Sequence, residues 1–112
     1  MYKYFKPEEI VGLDPRLVEM LDKAREIAGV PFVITSGLRS AEHNAEVGGV
    51  KNSSHLLGLA VDLKVRDTNS GGKMLLALAA VGFKRFGFYG DNHIHVDIDP
   101  NKETPSYWTK IV

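Results

Sequence analysis

The 112-residue chain contains no cysteine, which excludes disulfides, thiolate zinc sites and a cysteine nucleophile together. Any metal must be held by His, Asp or Glu. Neither sign of charge is in excess: fourteen Lys and Arg residues balance fourteen Asp and Glu residues. No net field therefore draws the chain to nucleic acid or anionic lipid, and a nucleic-acid reader would be more basic. No apolar run is long enough to cross a bilayer, so no membrane insertion is expected. The N-terminal stretch Met1-Tyr-Lys-Tyr-Phe-Lys-Pro-Glu-Glu has neither the apolar core nor the small-residue cleavage site of a signal peptide. The chain as written is expected to start in the cytoplasm, as a monomer. Its length is that of one domain, residues 1–112, which buries roughly two-thirds of the surface its unfolded chain exposes.

The periodicities divide the chain into short helices and strands. Asp14-Pro15 reads as an N-cap followed by proline at the first helical position, and Leu17, Leu21, Ala24 and Ile27 recur at helical spacing until Gly29. Pro31–Ser36 is short, apolar and β-branched, which predicts a buried strand. Ser40 caps a short helix that Gly48-Gly49 ends. From Leu59 to Val65 apolar residues alternate with Ala60, Asp62 and Lys64, the pattern of a half-buried strand with Asp62 turned from the apolar face. Asp67–Gly72 reads as a flexible connection, and Met74–Val81 as a helix apolar all round and hence well buried. Two strands, Lys84–Tyr89 and His93–Asp99, flank the turn residues Gly90, Asp91 and Asn92. In the second, Ile94, Val96 and Ile98 face the core while His93, His95, Asp97 and Asp99 face the other way. The tail from Lys102 to Val112 is expected to pack through Tyr107 and Trp108.

Taken singly, the polar residues of these strands say little. A His-x-His pair is more often solvated or structurally hydrogen-bonded than metal-binding, an Asp on a strand is usually solvated, and a His after a Ser-rich turn is more often a loop residue. Their combination says more. Ser53-Ser-His55-Leu-Leu-Gly58-Leu-Ala60-Val-Asp62 puts a histidine ahead of a strand and a carboxylate inside it, with small residues between. With the last strand alongside, His95 completes three ligands. Two neutral imidazoles and one carboxylate would leave Zn²⁺ one net positive charge and an open fourth position, as in catalytic rather than structural sites.

Thr35-Ser-Gly-Leu-Arg39-Ser, His43-Asn44, Val47-Gly48-Gly49, Asn52-Ser53, the His55–Asp62 segment and Ile94-His95-Val96-Asp97 together resemble the zinc D-Ala-D-Ala carboxypeptidases and related L-Ala-D-Glu endopeptidases, a family that includes phage endolysins. The resemblance runs from Phe5 to about Trp108. It implies an α+β domain whose small antiparallel sheet, flanked by helices, carries a zinc site with His55, Asp62 and His95 as ligands. It also implies hydrolysis of an amide bond in peptidoglycan stem peptides, with Arg39 holding a substrate carboxylate or carbonyl and Ser53 beside it. A guanidinium suits that task because it is always charged and binds in a bidentate fork; the alternative for Arg39 is a surface salt bridge.

Many family members carry Asp or Glu three residues before the last metal histidine, where this chain has Asn92, which cannot accept a proton at neutral pH. The general base is then expected to be His93, with Asp91 as the second choice. Asp97 either orients an imidazole or is solvated. His43 reads as structural or substrate-facing, and Tyr89 as a half-buried strand-end aromatic or a cleft wall. A second reading, prompted by Asn92, is a zinc-bearing module that binds cell-wall peptide without cutting it. Action on the cell wall would also require delivery from the cytoplasm, for example by a phage apparatus.

Overall fold

The computed structural model describes residues 2–111, so Met1 and Val112 lie outside it. Helix α1 (Pro15–Ala28) starts at the expected cap: Asp14 Oδ1 accepts from the Arg16 N–H at 2.8 Å. Proline at N1 gives up only an N–H that would have no helical partner. Gly29, at φ 69°, ends the helix in the left-handed conformation. Leu17, Val18, Leu21 and Ala24 fall on one face and are buried. Helix α2 (Ala41–Glu46) is capped by Ser40, whose Oγ accepts from the His43 N–H at 3.1 Å.

Helix α3 (Thr68–Ala80) corrects two expectations. The segment from Asp67 to Gly72 is the first part of this helix and not a flexible connection. Asp67 is its N-cap, accepting from the Ser70 N–H at 2.7 Å. Gly71 and Gly72 each disfavour helix by about 1 kcal/mol relative to alanine, which hides the helix from a propensity reading. At Gly71 an added Cβ would lie 2.9 Å from Val65 Cγ1, so close packing accounts for the glycine. Nor is the helix buried all round: Met74, Ala77 and Leu78 face α1 and the sheet, but Leu76 is 76% exposed.

The five strands, β1 (Ile34–Ser36), β2 (Ala60–Lys64), β3 (Arg85–Tyr89), β4 (His93–Asp97) and β5 (Ser106–Lys110), form one sheet in the order β1-β2-β4-β3-β5. The α+β class and the antiparallel pairing expected for the first four are present. The tail then adds a parallel edge strand against β3. Within it Trp108 turns to the sheet, but Tyr107 is 76% exposed and does not pack as expected.

Period-two alternation gives the sheet two unlike faces. Val61, Leu63, Ile94 and Val96 join Leu17, Leu21, Phe32, Met74 and Leu78 in the core, with Phe86 and Phe88 packed against it. Each such side chain contributes roughly 1.5–3 kcal/mol on full burial, and this pins the sheet to the two helices. The opposite face is read in rows set by register. One row runs Ser36, Asp62, His95, Gly87, Trp108 across all five strands. The next holds His93, Tyr89 and Lys110. An added Cβ at Gly87 would lie 2.6 Å from the Trp108 indole, so the glycine is what lets that ring reach towards His95.

Between α2 and β2 a 3-10 turn, Ser54–Leu57, carries His55 and closes on Gly58 at φ 70°. An added Cβ there would meet the Gly12 carbonyl oxygen at 2.3 Å, and the Gly58 carbonyl accepts from the Asp14 N–H at 2.9 Å. Gly58→Ala therefore combines a left-handed φ with a backbone clash. It should lower the unfolding free energy by about 2–3 kcal/mol, measured by chemical denaturation; an unchanged midpoint would show that the turn has room to shift.

Candidate metal centre and cleft

His55 comes from the 3-10 turn, Asp62 from β2 and His95 from β4, and all three are buried. The Ser53 Oγ accepts from the His55 N–H at 3.2 Å, and the His55 carbonyl accepts from the Arg39 N–H at 3.0 Å, so the turn is fixed at both ends. Asp62 and His95 face each other across the β2–β4 pair. His55 Nε2 lies 3.1 Å from Asp62 Oδ1 and 3.2 Å from His95 Nδ1; His95 Nδ1 lies 3.1 Å from the same Asp62 oxygen.

The outer nitrogens decide what these inner atoms are. His55 Nδ1 donates to the Gly37 carbonyl at 2.8 Å, and His95 Nε2 donates to Asp97 Oδ2 at 2.8 Å. The tautomers that these partners require leave lone pairs on His55 Nε2 and His95 Nδ1, aimed at each other and at a carboxylate oxygen. Three lone pairs facing one another fit a cation between them. Tetrahedral zinc, with bonds of about 2.0–2.1 Å, sets neighbouring ligand atoms about 3.3–3.4 Å apart, close to the separations here. The donor set and its spacing thus fit a divalent metal of zinc's kind.

The charges around the cluster are equally constrained. Burial alone would push the Asp62 carboxyl up, but when the imidazoles of His55 and His95, rather than a cation between them, carry the positive charge, their hydrogen bonds and attraction outweigh burial and hold Asp62 well below the usual carboxylate range. Burial opposes a charged His95, yet Asp62 and Asp97 overcome it and raise the imidazole above its ordinary pKa. Asp97, 2% exposed, is not solvated. Its Oδ1 accepts from Arg85 Nε at 2.8 Å, and Arg85 NH1 donates to the Glu103 carbonyl at 2.6 Å. The guanidinium also lies 5.0 Å from the Trp108 ring centroid.

Arg39 is neither exposed nor a surface salt bridge. Its NH2 donates to Asp62 Oδ2 at 3.1 Å, its Nε to Ser36 Oγ at 3.1 Å and its NH1 to Asn44 Oδ1 at 3.2 Å. Two of its five N–H groups have no partner among the described residues. Gly49 is small because an added Cβ would lie 2.0 Å from Asn44 Oδ1. Arg39, Ser53, Tyr89, Asp91, His93 and Trp108 all line the same cleft as the His55, Asp62 and His95 cluster, about 440 Å³ in volume. His43 does not: it is exposed on α2, 3.9 Å from Glu46.

The β3–β4 hairpin accounts for Asn92. That residue sits at φ 64°, a conformation that Asn tolerates better than most, and its carbonyl accepts from the Val65 N–H, away from the cleft. Asp91, one residue earlier, is directed at the cleft instead. Its Oδ1 lies 2.5 Å from His93 Nδ1, and the other ring nitrogen, His93 Nε2, faces inward, 3.8 Å from Asp62 Oδ2. Tyr89 stacks on the His93 ring at 4.2 Å and 16°, and its hydroxyl accepts from Trp108 Nε1 at 3.1 Å.

Residues 4–97 match the Peptidase M15 family. The chain belongs to that family. No curated protein is similar to it in sequence. Among solved structures, the L-Ala D-Glu endopeptidase ChiX of Serratia marcescens shares the fold at a TM-score of 0.64, with 22% identity over 82% of this chain and 84% of that one. The matched residues of this M15 peptidase include Arg39, His55, Asp62, Asp91, His93, His95 and Asp97. They stop before β5, so Trp108 and Lys110 are added to the cleft from outside the matched region.

Arg85 and Trp108 escape a reading of the sequence, since an Arg opening one strand and a Trp near the terminus have no local signal. Only the register that aligns β3, β4 and β5 exposes them. Because Asp97 fixes the His95 tautomer, Asp97→Asn should weaken Zn²⁺ affinity by about 10–100-fold. Competition against a chromophoric chelator would measure it, and an unaltered affinity would reduce Asp97 to a packing role.

Proposed function

We propose that this M15 peptidase is a zinc-dependent hydrolase of an amide bond in peptidoglycan stem peptides, with His55, Asp62 and His95 holding the metal. The observation that carries the reading is the convergence of three lone-pair donors whose outward nitrogens are both committed as hydrogen-bond donors. The family membership and the fold shared with an L-Ala D-Glu endopeptidase support the choice of substrate. Zinc held by these residues would polarise the scissile carbonyl and bring a water's pKa to about 7.

The rest of the chemistry falls to the chain's own residues. His93, held by Asp91 with Nε2 inward, takes the proton from the attacking water and returns it to the leaving amine. This assigns the base to His93 with Asp91 as its orienting partner. Arg39 keeps Asp62 in place and offers its two remaining N–H groups to a substrate carboxylate or carbonyl. The Ser53 oxygen positions the His55 backbone at the cleft wall, and that wall is its contact with substrate. The stacked Tyr89 ring and Trp108 limit water on the far side.

Digestion of purified peptidoglycan with and without a chelator, followed by mass spectrometry of the fragments, tests the reading. Cleavage should vanish with chelator and return with zinc, and the masses would name the bond. Stoichiometric zinc without cleavage would favour a module that binds peptide without cutting it. His55→Ala should abolish cleavage and metal binding together. His93→Ala should lower kcat by about 10²–10⁴-fold while zinc stays bound, and full activity in that variant would remove His93 from the mechanism.

A further inference from the structure

The cleft holds four cationic side chains, Arg39, Arg85, Lys102 and Lys110, and three of them are engaged. Arg39 is paired with Asp62 at 3.1 Å and Arg85 with Asp97 at 2.8 Å. Lys102 faces Asp99 at 3.9 Å. Lys110 is the exception: among the described residues no carboxylate lies within 4.0 Å of its ammonium.

Its position is fixed by the sheet. Trp108 and Lys110 share the site face of β5, and Lys110 is in register with Tyr89, which is in register with His93. Two strand spacings separate Lys110 from His93, about 10 Å between backbones, and both side chains rise from the same face of the sheet into one cleft. A peptide seated over His93 therefore has Lys110 about two strand spacings to one side of it. Across the cleft, Val47 and Val50 line the other lip while 53% and 63% exposed, a surface suited to small apolar side chains. A peptide lying across the sheet would meet an apolar lip on one side and an unpaired cation on the other.

Resting on the zinc peptidase reading above, we propose that Lys110 docks a free substrate carboxylate next to the scissile amide, so that the enzyme selects acidic stem peptides over their amidated forms. The residue lies outside the segment that matches the family, so this selectivity belongs to the added strand. The carboxylate could be borne by an acidic residue inside the peptide or by the chain terminus.

Four synthetic stem peptides distinguish these sources, carrying D-isoglutamate or D-isoglutamine at the internal position and a free or amidated C-terminus. Wild-type kcat/KM should favour one free carboxylate over its amide by about fivefold, the upper range for an exposed ion pair, mainly through KM. Lys110→Gln should bring that ratio close to one, Lys110→Arg should keep it, and added salt should shrink it. A wild-type ratio of one, or a ratio that survives Lys110→Gln, would overturn the proposal. If none of the peptides is cut, their equilibrium binding to the wild-type chain and to Lys110→Gln decides separately. A carboxylate preference that depends on Lys110 without turnover would keep the docking site and remove the peptidase reading. Turnover without any preference would do the reverse.

Discussion

Two imidazole lone pairs and one carboxylate oxygen pointed at each other across 3.1–3.2 Å are an arrangement that a protein core does not tolerate for its own stability. Each of these groups is buried, and buried polar atoms that face only acceptors are costly. The surrounding residues satisfy the outer atoms of the same three groups and leave the inner ones to a cation. Gly37 and Asp97 hold the outer imidazole protons, and Arg39 neutralises the outer oxygen of Asp62. Arg85 in turn neutralises Asp97. The polar half of the molecule is thus organised outward from one point, each shell answering a charge or a proton left by the shell inside it.

That point exists only because strand register delivers it. Asp62, His95, Gly87 and Trp108 lie in one row across four strands. A one-residue slip of β4 against β2 would send His95 to the core and Ile94 to the cleft. The apolar alternation of Val61, Leu63, Ile94 and Val96 forbids that slip, since it would expose the residues that fasten the sheet to α1 and α3. The core and the site are therefore specified by the same alternation read on opposite faces.

This shared alternation is why so much could be read from the chain alone. Helix α1 announced itself through Asp14, Pro15 and Gly29, and the His55, Asp62 and His95 grouping was implied by the family resemblance of the His55–Asp62 and Ile94–Asp97 segments, on the condition that β2 and β4 lie side by side. What stayed hidden depends on contacts between distant segments. The first turn of α3 contains two adjacent glycines whose local preference is against helix, and only the closeness of Val65 explains Gly71. The pairing of β5 with β3 is parallel and spans a long connection, so no hairpin signal marks it. Arg85 meets Asp97 across strands, and a single sequence does not record such pairs.

The position of Asn92 shows how backbone conformation can move a chemical group along a sequence without moving it in space. The hairpin needs a residue at φ 64° there, and asparagine accepts that conformation at low cost. Its backbone then serves the turn, with the N–H donating to the Tyr89 carbonyl and the carbonyl accepting from the Val65 N–H. Asp91 is brought over the cleft instead, and at 55% exposure it stands at the rim, while the His55, Asp62 and His95 cluster is buried. His93 closes that gap. Its ring lies 2.5 Å from the Asp91 carboxylate on one side and 3.8 Å from Asp62 on the other, so a peripheral acid and a half-buried histidine together span the distance from the rim to the buried cluster.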